Sequence, residues 1–163
     1  DKLMIFPLFG TMVLGPYQLG FQIFSIAMLL PNIVIQYTLP HDAIGAKNIK
    51  LKKIAIIVCI IITVFVILGA PIIIPEIFPE FKESVKVVQI MSLALIPSSL
   101  SVLYSSELLG SERSKIVLFG AIIGISVIVI GIFTLGKHYG LVGLTASFVI
   151  AKIAEFLFLH IKK

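Results

Sequence analysis

Apolar residues in this chain do not alternate or keep to one helical face. They come in long runs separated by short polar stretches. Five runs, residues 17–39, 54–75, 87–110, 115–136 and 141–161, are long enough to cross a bilayer, which takes about 20 helical residues for about 30 Å of hydrocarbon. Polar punctuation falls at 40–53, 76–86, 111–114 and 137–140. Residues 3–14 are also apolar, but as a helix they reach only about 18 Å, so 1–14 is predicted to be a partial span. It is either a re-entrant segment or the tail of a longer helix. The start at Asp1, with neither Met nor a signal-peptide pattern, leads us to expect a tail. The predicted fold class is all-α: one polytopic helical membrane bundle over 1–163, with five full transmembrane helices and a truncated first one. Pro71, Pro75 and Pro97 lie inside the spans and predict kinks or breaks.

Charge placement gives the spans an orientation. Lys47, Lys50, Lys52, Lys53, Arg113, Lys115, Lys162 and Lys163 fall on one side, and Lys82, Lys86 and Lys137 on the other. The sides alternate through all five spans. The lysine-rich side is therefore expected to be cytoplasmic, with the C-terminus on it and a turn at Gly15 and Pro16 outside.

Composition closes off the other classes. Of 163 residues, 59% are hydrophobic and 13% charged, and the mean hydropathy is +1.16. A soluble domain carries about 25% charge, and a disordered chain is poor in Ile, Leu, Val and Phe. The net charge of +5 sits at span ends, so it marks topology and not a nucleic-acid partner. The single cysteine, Cys59, reads as a small buried thiol in an apolar run.

Polar groups inside spans are where chemistry is expected. Gln18, Gln22, Ser25, Asn32 and Gln36 lie within about 40° of one direction at 100° per residue. Such a stripe must face protein or water. It serves either as interhelical glue or as one wall of a polar cavity, and its length favours the wall. In the last span Lys152 lies about 16 Å along a helix beginning at Leu141, near the bilayer midplane, with Glu155 placed to neutralise it. The two form either a structural ion pair, with a snorkelling lysine stem, or a cationic group facing a cavity that receives an anionic headgroup. Thr145 shares that face. Ser92, Ser99 and Ser106 recur every seven residues, the spacing of close helix packing, and Gly120 and Gly124 form a small-xxx-small pair. Glu107 falls near the cytoplasmic interface.

Enzyme signatures are missing. The sequence holds no phosphate loop, nucleophile elbow, HExxH or CxxC. His41, His138 and His160 are too scattered for a metal site, and Glu76, Glu80 and Glu83, interleaved with Lys82 and Lys86, read as a solvated face. No catalytic residue, metal or cofactor is expected.

The succession of short motifs carries a resemblance. The opening Asp1 to Ile5 with Gly10, Gly15 and Tyr17 is followed by Leu39 and Pro40 after the striped helix. Then come Ala70 and Pro71, the Phe78-Pro79-Glu80-Phe81 run, and Val88 to Leu93. Leu109-Gly110-Ser111-Glu112-Arg113-Ser114-Lys115 and Tyr139-Gly140-Leu141-Val142-Gly143 complete it. In this order, over essentially the whole chain, they resemble the second half of polysaccharide and lipid-linked oligosaccharide flippases of the multidrug/oligosaccharidyl-lipid/polysaccharide exporter superfamily. Pro79 departs from the pattern, where glycine is more usual.

The resemblance implies two pseudo-symmetric lobes around a central cavity, this chain supplying most of the second and an N-terminal lobe of the same protein completing it. It implies that the lobe's first two helices line the cavity. Relatives of this kind move a polyprenyl-diphosphate-linked sugar from the cytoplasmic to the outer face by alternating access. The expected partners are then a lipid-linked oligosaccharide and membrane lipids, with no nucleic acid. The candidate cavity residues are Gln18, Gln22, Ser25, Asn32, Gln36, Lys152 and Glu155. Two rivals share the same hydrophobic pattern. A multidrug cation antiporter of the same superfamily would couple through a membrane carboxylate, Asp1 or Glu155. A non-transporting membrane subunit would have the Gln18 to Gln36 stripe fully packed.

Overall fold

The structure is a computed structural model and describes residues 2–43 and 49–162. Asp1, Lys47 and Lys163 lie outside the described residues, as does the side chain of His41. The architecture is all-helical, with no strand among the described residues. In chain order the helices are α1 (Lys2–Ala27), α2 (Leu29–Ala43), α3 (Ile49–Ile77), α4 (Ser84–Ser92), α5 (Leu95–Gly110), α6 (Ser114–Gly131) and α7 (Lys137–Lys162). A single 3-10 turn, Pro79–Phe81, and a π-helical turn, Ile132–Gly136, join α3 to α4 and α6 to α7.

Four segments are long and apolar enough to cross a membrane: Val13–Val34, Lys50–Ile77, Ser84–Gly110 and Ser114–Lys162. That is one fewer than the five predicted spans, because the last two run through a single segment of 49 residues. This segment folds back on itself. Gly140 takes φ 55°, ψ −132°, a left-handed conformation that favours glycine. Beyond it the arms run antiparallel: Gly136 faces Leu144, Gly131 faces Ser147, Gly124 faces Glu155 and Gly120 faces Leu159. The predicted small-xxx-small contact is therefore the α6–α7 seam.

The breaks do not all fall where prolines predict them. The expected turn at Gly15 and Pro16 is replaced by one at Gly10 (φ 74°, ψ −176°), and α1 runs helically through Pro16. Helix α3 likewise continues through Pro71 and Pro75. A proline removes one hydrogen bond but holds a helical φ, and the surrounding apolar run keeps the helix going. Breaks do occur four residues before Pro31 and Pro97, whose missing N–H groups leave the Ala27 and Leu93 carbonyls without their usual i+4 donor. Around the second, Leu93 and Ala94 tighten to three-residue bonds, donating to Ile90 O (3.1 Å) and Met91 O (3.0 Å).

The segment α4–α5 is central. It packs on α1, α2, α3 and α7, and over half of its most apolar stretch is buried against under a fifth of that in α3. Tyr17, Phe24, Met28, Cys59, Met91 and Leu95 anchor the core. Ile57, Ile61, Phe65 and Leu68 of α3 and Leu118, Ile122 and Ile125 of α6 stay exposed, the surface that hydrocarbon would cover.

Contacts fix which ends of the helices coincide. Lys52, 7% exposed, bonds Glu107 at 3.1 Å and ties the start of α3 to the end of α5. Tyr104 stacks with Phe156 and His160 near the end of α7. The end of α7 lies beside the first turns of α6, where Leu159 meets Gly120. Among the described residues, Lys50, Lys52, Lys53, Arg113, Lys115 and Lys162 thus fall at helix ends on one side of the bundle, and Lys82, Lys86 and Lys137 at the other.

Candidate functional site

The site is assembled where the break between α1 and α2 faces α5 and α7. Ser25, Asn32, Ser98, Ser101, Lys152 and Glu155 line one hollow of about 240 Å3, with Phe24 and Met28 beside them. Lys152 Nζ donates to Glu155 Oε2 at 2.9 Å across one turn of α7. The lysine side chain keeps a third of its surface open and the glutamate a fifth, so the pair is neither sealed nor free. Ser25 Oγ donates to Phe21 O at 2.7 Å. Ser98 and Ser101 are 4% and 3% exposed, yet their hydroxyls have no hydrogen-bond partner among the described residues. A buried polar group without a partner is uncommon and costly.

A second hollow, of about 480 Å3, lies between α6 and α7 and shares Lys152 and Glu155 with the first. Its other walls are apolar. Gly124 helps make the room: a Cβ there would stand 3.3 Å from Glu155 Oε2. Phe24 of the first hollow meets Phe148 of the second edge to face, ring centres 5.0 Å apart, a geometry that aromatic pairs favour.

No protein-family profile, curated protein or solved structure matches this chain. The family resemblance rests on its motifs alone.

Four of the seven candidate residues, Ser25, Asn32, Lys152 and Glu155, come together at the first hollow. Gln22 and Gln36 are exposed and Gln18 is half-buried, and none of the three lines it. Gln22 and Gln36 are exposed away from the hollow, and Asn32 is exposed at its mouth, so none of the three glues helices of the described structure together. Thr145 is fully buried and bonds Leu141 O at 2.6 Å; it packs and does not extend the polar face.

Ser98 and Ser101 were not singled out by the sequence. Pro97-Ser98-Ser99 and Ser101 put hydroxyls on every side of α5, and sequence alone does not say which are partnered. The seven-residue series behaves as packing: Ser92 bonds Gln89 O at 2.7 Å, and Ser99 lies 2.9 Å from the Cys59 sulfur, itself 2% exposed. Glu107, expected near the cytoplasmic interface, lies in the last turn of α5 and is the partner of buried Lys52. His160, expected to be solvated, is exposed, and it also stacks on Tyr104 and approaches its hydroxyl at 3.2 Å. Among the described residues no three His, Cys, Asp or Glu side chains gather as a metal site.

Proposed function

We propose that the chain is one lobe of a flippase that moves a polyprenyl-diphosphate-linked oligosaccharide across the cell membrane by alternating access. One observation carries the reading: an open hollow at mid-span depth brings together a cation, a carboxylate and two hydroxyls without a partner among the described residues. Polar groups at that depth are costly unless they pair with one another or face water or a guest, and the two serine hydroxyls have no such pairing among the described residues. The outward amides Gln22, Asn32 and Gln36 extend the polar surface along α1 and α2, the helices that the resemblance assigns to the cavity wall. They face where the other lobe of the same protein would stand.

In this reading the 49-residue segment makes two crossings joined at Gly140, for five in all, preceded by the partial span. The end bearing Lys52, Arg113, Lys115 and Lys162 faces the cytoplasm, by the excess of lysine there. The polar wall shields the glycan, Lys152 offers its ammonium to the diphosphate, and the lobes rock between inward and outward openings. No covalent step is needed.

The antiporter reading draws on Glu155 as a coupling carboxylate, but that carboxylate is held by Lys152 at 2.9 Å. The non-transporting reading requires a packed stripe, and three of its five members are exposed. Substituting Lys152→Ala in the full-length protein tests the proposal. Membrane insertion, followed by fractionation, is expected to be unchanged while flipping of a lipid-linked oligosaccharide in reconstituted vesicles falls to background. Undiminished flipping removes Lys152 from the site; drug efflux without a glycan defect favours the antiporter.

A further inference from the structure

Helix α3 loses a backbone donor at Pro71, and with it the usual partner of the Ile67 carbonyl one turn earlier. In hydrocarbon no water replaces that donor. Helix α4 supplies it instead: Gln89 Nε2 donates to Ile67 O at 2.9 Å. Only the NH2 end of a glutamine amide can meet a carbonyl, so the bond also fixes which way the side chain points. The carbonyl stranded by a proline in one helix is thus satisfied by a side chain of another.

Around this bond α3 divides into two parts. Its inner part is pinned, because Lys52 bonds Glu107 of α5 at 3.1 Å and Cys59 belongs to the main core. Its outer arm, 71–77, is held differently. Ile74 packs with Ala70 on Val88 in a small cluster apart from that core, while Ile72, Ile73 and Ile77 stay exposed. Pro75 removes a second donor, the one that would face the Pro71 carbonyl. An open apolar groove of about 210 Å3 lies beside the joint, between α3, Ile23 of α1 and Val88 of α4. The arm therefore has room to move.

We infer that Gln89 is the latch of a hinge in α3. With the bond made, the arm packs on α4 and the helix runs on through Pro71. With it broken, the Ile67 carbonyl has no donor, the helix bends about 67–71, and the groove is the space whose width changes. Proline is a leading cause of sharp helix bends, and here one amide from a neighbouring helix holds the bend in check. Lys52 keeps the inner end of α3 on α5 meanwhile. The motion is confined to the outer arm and to the Pro79–Phe81 turn that follows it. The latch is a property of the bundle and does not require that the chain transport a lipid-linked sugar.

The test is a distance measurement by electron spin resonance on the full chain in lipid nanodiscs. Spin labels go on Phe78→Cys, at the tip of the arm, and on Tyr139→Cys, at the same end of the bundle; both positions are exposed. Cys59 is buried and stays unlabelled. The parent is expected to give one narrow distance. Gln89→Met keeps the length of the side chain without its donor, and is expected to raise the ratio of bent to latched molecules about tenfold, seen as a second distance. Pro71→Ala returns a helical donor to Ile67 O, so in that background Gln89→Met is expected to change nothing. Gln89→Leu serves if Gln89→Met does not fold. An unchanged distribution in the Gln89 variants overturns the inference. So does equal broadening with and without Pro71, which would make Gln89 a packing residue and not a latch.

Discussion

At the scale of single residues, the informative side chains are the ones whose bonding is incomplete. Ser98 and Ser101 bury their hydroxyls without a partner among the described residues. Replacing them with alanine removes a desolvated polar group and leaves no broken bond, a change that is nearly neutral or stabilising. The Ser98→Ala, Ser101→Ala double variant is therefore expected to melt in detergent within about 1 kcal/mol of the parent yet to lose flipping in vesicles. A large drop in melting temperature would show that the hydroxyls hold the bundle together. The sequence made the ion pair legible, because a lysine in hydrocarbon needs a neutralising partner and Glu155 is one turn away. It did not make the serines legible, since a serine beside Pro97 in an apolar helix reads the same whether or not its hydroxyl finds an acceptor. Lys52 illustrates the converse error: counted as a loop cation by its neighbours Lys50 and Lys53, it turns inward to Glu107. Its partner is 55 residues away, a separation that local pattern does not bridge.

At the scale of helices, close approach is set by glycine. A Cβ on Gly131 would fall 2.5 Å from the Ser147 side chain, and one on Gly20 would fall 2.7 Å from Val87. Gly131→Val is expected to cost about 1–3 kcal/mol by overpacking the α6–α7 seam, read as a lower unfolding midpoint in detergent. Gly69→Val is the comparison: a Cβ there meets only the flexible end of Ile73 at 3.3 Å, and its midpoint should move less. The existence of long apolar helices was legible because hydrocarbon-length runs are the strongest signal a sequence offers. Their breaks were not. Pro16, Pro71 and Pro75 are absorbed within helices, whereas Pro31 and Pro97 coincide with interruptions. What separates the two sets is packing of the whole helix, which the residue type does not carry. A common face for the stripe on α1 and α2 requires one unbroken helix, and the interruption at Met28 is one reason only part of it reaches the hollow.

At the scale of the molecule, the sorting of charges between the two ends was legible from loops alone, and the contacts agree with it. Cys59 gives a convenient silent background for testing it, being 2% exposed and in contact with Ser99. In sealed right-side-out vesicles an impermeant maleimide is expected to label His138→Cys and to spare Ser111→Cys until the membrane is opened, with the parent unlabelled throughout. Labelling of both from one side would overturn the five-crossing reading. The antiparallel fold of α6 on α7 was legible only as a polar gap at 137–140, since the geometry of Gly140 is a backbone property. The interruptions before Pro31 and Pro97 have a mechanical consequence. Parallel, packed pairs, α1 with α4 and α2 with α5, are each weakened at neighbouring heights, as the contact of Met28 with Ser99 indicates. A beam notched on two adjoining faces at one level concentrates its curvature there. Any bending of this bundle is thus focused on the stretch that carries Met28 and Ser98, and the width of the smaller hollow is the dimension that such bending changes first.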